Sequence, residues 1–139
     1  MDFNELFLQH ITTGIDDLIG RPTESQLNEN LCYYWAYVFS KVIGGHLCSF
    51  RMTREAKINT QFDKISEHAF VQLDNKFYDS RHLGGVDWAA DLYPNDFDLS
   101  DYTVVEYSSD DAFLSDWGVQ TECCFMKETV KRIKLAIRG

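Results

Sequence analysis

The segment SEHAFVQLDNKFYDS, residues 66–80, has the pattern of a β-hairpin. Side chains over residues 69–73 alternate in the manner of a strand. An Asp-Asn-Lys run supplies turn residues, and a Phe-Tyr pair resumes a β-prone stretch. We therefore predict a hairpin whose first strand opens at His68 and whose second strand closes at Asp79.

Upstream of this hairpin, residues 31–43 (LCYYWAYVFSKVI) are apolar on all sides and stop at a Gly-Gly pair. This pattern predicts a buried helix with a glycine exit. Asn28 or Asn30 is the expected N-cap, which places Cys32 in the first turn. Apolar side chains at three- and four-residue steps predict another helix over residues 2–19.

Weaker patterns fill in the rest of the chain. We predict strands over residues 46–52 and 102–107, a short helix over 86–92 and a closing helix over 121–137. The acidic run 91–116 is interpreted as a solvated loop that contains one strand. The expected fold class is α+β, with N-terminal helices packed on an antiparallel sheet.

Composition limits the classes of function. The chain has 139 residues, which fits one domain over residues 1–139. Its 13 Lys and Arg against 22 Asp and Glu give a net charge of −9. Nucleic-acid binding is disfavoured, because cationic side chains drive it. An acidic surface that engages a protein partner is the rival to a merely solvated one.

Targeting and cysteine patterns point to a cytoplasmic protein. No apolar run approaches the about 20 residues that span a bilayer, and the first residues lack the features of a signal peptide. We expect no membrane contact. The four cysteines, Cys32, Cys48, Cys123 and Cys124, form no CxxC pair. We therefore expect reduced thiols and no metal site.

Cys32, His68 and Asp79 form the combination most suggestive of chemistry. A helix N-terminus and a neighbouring imidazolium both favour a reactive thiolate. The hairpin folds His68 back towards Asp79, which lies 11 residues later (79 − 68). A histidine oriented by an acid is the base that thiol catalysis needs.

This ordered set resembles the papain-like and transglutaminase-like cysteine peptidase superfamily, in particular its small bacterial and phage-encoded members. The resemblance covers residues 26–85, including LNENLCYYWAYVF, SEHAFVQLDNKFYDS and RHLGG. It implies a papain-like core in which Cys32 is the nucleophile, His68 the general base and then acid, and Asp79 the group that orients the imidazole.

The same resemblance implies an oxyanion site and a substrate cleft. The backbone N–H of Cys32 is the first oxyanion donor, and the side chains of Gln26 and Asn28 are equal candidates for the second. Trp35, His82 and Trp88 are assigned to substrate binding.

The preferred function is thiol-dependent acyl transfer to water or an amine, through a thioester on Cys32, with a protein or peptide-like substrate and no cofactor. The alternative is a catalytically silent papain-like fold that acts as an acidic binding module, inhibitor or effector. A purely structural role is the third hypothesis.

Overall fold

The computed structural model of the chain describes residues 2–11, 31–52, 68–92, 102–119 and 123–138. This part of the chain contains helices and an antiparallel sheet, so the predicted α+β class is confirmed. The elements in chain order are α1 (Phe3–His10), α2 (Cys32–Val42), β1 (His46–Met52), β2 (His68–Leu73), β3 (Lys76–Tyr78), a 3₁₀ turn (Ala89–Leu92), β4 (Tyr102–Glu106), α3 (Asp110–Asp116) and α4 (Cys123–Arg138).

Among the described residues, four strands form one antiparallel sheet in the order β3-β2-β1-β4. The predicted hairpin is confirmed: β2 pairs with β3, with Val71 opposite Tyr78. Its two-residue loop holds Asp74 at φ 52° and Asn75 at φ 65°. Positive φ at both central residues is the type I′ geometry that matches the twist of paired strands, and Asp and Asn tolerate it better than most residues.

The main core lies between helix α2 and one face of the sheet. Side chains with period two on β1 and β2 meet this helix, among them Leu47, Ala69 and Val71. The opposite face carries a smaller buried cluster of Cys48, Phe50, Phe70, Leu92 and Tyr102. Burial of both faces accounts for the nearly continuous apolar sequence of β2.

Helix α2 is apolar on every side because helices as well as the sheet surround it. Helix α1 packs against it, and helix α4 covers a further side with Met126, Val130 and Ile133. Tyr34 lies fully buried between α2 and α4, and its hydroxyl is 2.7 Å from Thr129 Oγ1. The polar tip of a buried tyrosine is thereby satisfied.

The structure corrects the predicted start of helix α2. Leu31 occupies the N-cap position of α2 and makes no side-chain capping bond. The predicted caps Asn28 and Asn30 lie outside the described residues. Cys32 is nevertheless in the first turn, as predicted, since it is the first residue of the helix.

Other elements also differ from the predictions. Helix α1 ends at His10 and Ile11 is extended; the rest of the predicted 2–19 helix lies outside the described residues. The predicted helix 86–92 is reduced to the 3₁₀ turn. Helix α3 falls in the acidic run interpreted as a loop, where Ser109 accepts a bond from the Ala112 amide and caps the helix. Helices therefore follow the sheet as well as precede it.

The lengths and compositions of the helices bear on membrane insertion. Within residues 2–11, 31–52, 68–92, 102–119 and 123–138, no helix combines the length and the apolar character needed to cross a bilayer.

We predict that Gly45→Ala destabilises the fold. Gly45 has φ +105°, and an added Cβ would lie 2.6 Å from Val71 Cγ1 and 2.7 Å from the Gln72 carbonyl oxygen. Backbone strain and overpacking together should lower the free energy of unfolding by roughly 2–4 kcal/mol. Urea denaturation measures this. Gly84→Ala is the matched control, because nothing lies within 4 Å of its added Cβ. Equal stability of the two variants would contradict the prediction.

Candidate active site

Cys32 is positioned by the start of helix α2. It is the first helical residue, and its first turn contains no acidic residue. The N-terminus of a helix carries a partial positive charge that favours an anion. The residue is only 3% exposed, so the sulfur lies in the interior, at the positive end of the helix.

His68 and Asp79 are brought together by the hairpin. His68 opens β2, and Asp79 directly follows β3 on the neighbouring strand. The His68 Nε2–H donates to Asp79 Oδ2 over 2.9 Å, and both side chains are buried. The imidazole is therefore fixed by a charge-assisted hydrogen bond in a water-poor environment.

The structure also brings Cys32 to His68. The Cys32 side chain lies near the His68 ring, where its hydrogen-bonding and charge interactions raise the pKa of His68. Because Asp79 occupies Nε2, the nitrogen that remains for the sulfur is Nδ1. One imidazole thus lies between a thiol and a carboxylate, which is the order of groups in a thiol–imidazole–acid triad.

The two neighbours change the charge state of His68. Burial by itself disfavours the imidazolium. Hydrogen-bonding and charge interactions with Asp79 and Cys32 outweigh burial and raise the pKa of His68 from 6.5 to about 9. His68 is therefore protonated at neutral pH, with the Asp79 carboxylate and the Cys32 sulfur as its neighbours.

Asp79 is 1% exposed and accepts bonds on both of its oxygens. In addition to His68 on Oδ2, it receives the Arg81 backbone N–H at 3.0 Å and His82 Nδ1–H at 2.7 Å, both on Oδ1. Burial opposes its ionisation, but the bonds and charges of the two histidines prevail and lower the pKa of Asp79. A buried carboxylate kept charged in this way is fully partnered.

The partner of His82 was missed from sequence. The sequence predicts a substrate contact for His82, and the structure shows that its ring is bonded to Asp79. The signal that was available is spacing: Asp79 and His82 are three residues apart in a turn that the His82 N–H closes by donating to the Asp79 carbonyl over 3.0 Å. The His82 side chain is 30% exposed, so it also reaches the surface.

Asn4 links helix α2 to the segment that follows β3 through two hydrogen bonds. Its Oδ1 accepts the indole N–H of Trp35 at 2.7 Å, and its Nδ2 donates to the Ser80 carbonyl at 2.7 Å. Trp35 is on α2, one turn after Cys32, and Ser80 follows Asp79. The assignment of Trp35 to the substrate cleft is therefore corrected: it is 1% exposed and belongs to the core.

The remaining predicted residues are distributed as follows. Trp88 is 72% exposed and stands on the loop before the 3₁₀ turn, which leaves its ring accessible to a ligand. Gln26 and Asn28, the candidate oxyanion side chains, lie outside the described residues. The Cys32 backbone N–H is among the first-turn amides that have no carbonyl partner within their own helix.

The other described cysteines differ from Cys32 in environment. Burial and the nearby Glu106 raise the pKa of Cys48 to about 12, although a backbone hydrogen bond with Gln72 partly offsets this rise. Cys48 therefore stays a thiol. Cys124 is exposed on α4. No group of three or more His, Cys, Asp or Glu side chains is arranged to hold a metal ion in the part of the chain that the structure describes.

A cavity of about 840 Å³ lies at the other end of the sheet from this cluster. Among its lining residues are Gly45, Leu73 and Glu106, which stand at the start of β1 and the ends of β2 and β4. His68 is at the opposite end of β2, so this cavity does not belong to the cysteine site.

Comparison of the chain with protein-family models, with curated proteins and with solved structures found no match. The arrangement of Cys32, His68 and Asp79 is therefore the basis for inferring a function.

We predict that stability falls as pH rises from 6.5 to 9. The native protein keeps a proton on His68 over this range, whereas the unfolded chain does not. His68 therefore contributes its full share to the free energy of unfolding below pH 6.5, and this contribution disappears as the pH rises to 9 and above. The loss is about 3 kcal/mol at about 1.4 kcal/mol per pH unit. Urea denaturation across this range measures it.

The exposed His46 supplies the control for this pH dependence. His46→Asn should keep the slope, whereas His68→Gln should flatten it. A wild-type protein with constant stability between pH 6.5 and 9 would contradict the assigned protonation of His68.

We predict that Asn4→Ala lowers the free energy of unfolding by roughly 2–4 kcal/mol. The substitution leaves the buried indole N–H of Trp35 without an acceptor and removes the donor that bonds the Ser80 carbonyl. Thermal and urea unfolding measure the loss. Gln9→Ala is the control, since Gln9 is exposed on the same helix; it should change stability by less than about 0.5 kcal/mol. Equal effects would refute the bridging role of Asn4.

Proposed function

We propose that this protein is a thiol-dependent acyl-transfer enzyme with a Cys32–His68–Asp79 triad. The observation that carries the proposal is the position of His68, whose ring is bonded on Nε2 to Asp79 and interacts with the neighbouring Cys32 side chain. The roles follow from the order of these groups: a sulfur nucleophile, an imidazole that moves the proton, and a carboxylate that holds the imidazole.

In the proposed reaction, the thiolate form of Cys32, which the neighbouring His68 imidazolium favours, attacks a carbonyl carbon. The tetrahedral oxyanion is stabilised by N–H donors, the first of which is the Cys32 backbone amide. Collapse transfers the His68 proton to the leaving amine, breaks the C–N bond and leaves a thioester. His68 then accepts a proton from water or an amine, which attacks the thioester and releases the Cys32 thiol.

The proposed fold within the α+β class is a papain-like or transglutaminase-like core. Supporting it, a helix with cysteine at its N-terminus packs on an antiparallel sheet whose adjacent strands bring histidine and aspartate. The substrate class proposed is a protein or peptide-like amide. The chemistry needs no cofactor, and a free thiol nucleophile suits the reducing cytoplasm.

A second candidate function is favoured by the burial of the site. Cys32 and His68 are 3% and 4% exposed, and a thiol closed to substrate makes the fold a binding module, inhibitor or effector. Exposed acidic side chains, among them Asp87, Asp91 and Asp111, would then engage a cationic protein surface. Reactivity of the thiol in the folded protein separates the two functions.

We predict that chloroacetamide alkylates Cys32 in the folded protein, and that His68→Ala slows this by on the order of 100-fold because no imidazolium then favours the thiolate form of Cys32. Peptide mapping by mass spectrometry measures the rate at each cysteine separately. The exposed Cys124 serves as an internal reference, since His68→Ala should leave its rate unchanged.

Cys48→Ala is the matched control for loss of a buried thiol and should not alter the rate at Cys32. Equal rates at Cys32 with and without His68 would refute the triad. A Cys32 that stays unmodified while Cys124 reacts would favour the binding module.

A further inference from the structure

Asp79 is shared between two imidazoles that differ in exposure. His68 is bonded to Oδ2 at 2.9 Å and is buried, whereas His82 is bonded to Oδ1 at 2.7 Å with 30% of its side chain exposed. The acid of a thiol triad needs only one of these contacts to hold its histidine. The second histidine therefore calls for an explanation of its own.

We propose that His82 is a positioning residue for the triad, which fixes the Asp79 carboxylate so that Oδ2 faces His68. This role rests on the function proposed above, because it matters only if His68 is the base of that site. His82 itself touches Asp79 and acts on His68 through that carboxylate.

Geometry supports this role. The carboxylate torsion of aspartate is soft and roughly two-fold, so one bond at Oδ2 leaves its plane poorly defined. Bonds to Oδ1 from His82 Nδ1 and from the Arg81 amide restrain the second oxygen from another direction. The turn that delivers His82 begins at Asp79 itself, through the His82 N–H to Asp79 carbonyl bond of 3.0 Å. The restraint is thus local and independent of distant packing.

Two other roles for His82 make different predictions. A purely structural bond would affect stability and leave the ionisation of His68 unchanged. A substrate contact, as assigned from sequence, would change substrate affinity and leave the free protein unchanged. A positioning role changes the ionisation of His68 in the free protein, because the strength of its bond to Asp79 depends on the direction of Oδ2.

The test is NMR titration of the imidazole nitrogens in wild type, His82→Ala and His82→Asn. The chain has four histidines, and His68→Gln assigns the relevant signals. In wild type the pKa of His68 should lie about 9. His82→Ala should lower it by about one pH unit or more towards its ordinary value, since the carboxylate loses a restraint.

His82→Asn should restore the wild-type titration, because its amide Nδ2 offers an N–H donor near the position of histidine Nδ1. His46→Ala is the matched control, because His46 is an exposed histidine at the opposite end of the sheet. An unchanged His68 titration in His82→Ala, or a rise, would overturn the positioning role. Failure of His82→Asn to restore it would do the same.

The readout also separates this inference from the proposed function. Alkylation of Cys32 should slow at least about tenfold in His82→Ala and stay at the wild-type rate in His46→Ala. If His68 titrates as expected but Cys32 never reacts in any variant, the acyl-transfer function fails and the positioning role stands. If Cys32 reacts through His68 but His82→Ala changes neither readout, the positioning role fails alone.

Discussion

The arrangement of the site depends on one constraint: the Asp79 carboxylate is buried and must stay charged. An unpaired buried carboxylate is so costly that it would bind a proton instead. Here two imidazoles and a backbone N–H donate the hydrogen bonds to the carboxylate that water would make if it were exposed. The same bonds fix the direction of His68, and the direction of His68 determines what Cys32 meets.

Helix α2 combines a packing role with a chemical one. Its apolar surface fills the core between the sheet and helices α1 and α4, which holds its N-terminus at a defined height above β2. Asn4 adds a polar link by bonding Trp35 on the helix and Ser80 beside the acid. A side chain at the start of such a helix is positioned by the whole core rather than by a loop.

The two buried cysteines Cys32 and Cys48 lie in different electrostatic environments. Cys48 lies on β1 near Glu106, where burial and negative charge raise its pKa to about 12. Cys32 lies at a helix N-terminus and is bonded to His68, which carries the positive charge. The residue type and the burial are alike, and the difference lies in the sign of the neighbouring charge.

Local patterns in the sequence predict the individual elements and the pairs of residues within them. Alternation and an Asp-Asn turn predict the hairpin, and hence the meeting of His68 with Asp79, because residues within one hairpin are brought together by local pairing. An all-apolar run predicts helix α2 and places Cys32 in its first turn. Helix α3 escaped detection, since its acidic residues resemble a solvated loop.

Contacts between residues far apart in the sequence depend on the packing of the helices against the sheet. The approach of Cys32 to His68, and the bridge from Asn4 to Trp35 and Ser80, join elements whose contact depends on how helices pack on the sheet. Hydrophobic periodicity encodes which face of an element is buried and not which residue of another element it meets. The core sets that registry through the summed packing of many side chains, a property of the folded chain as a whole.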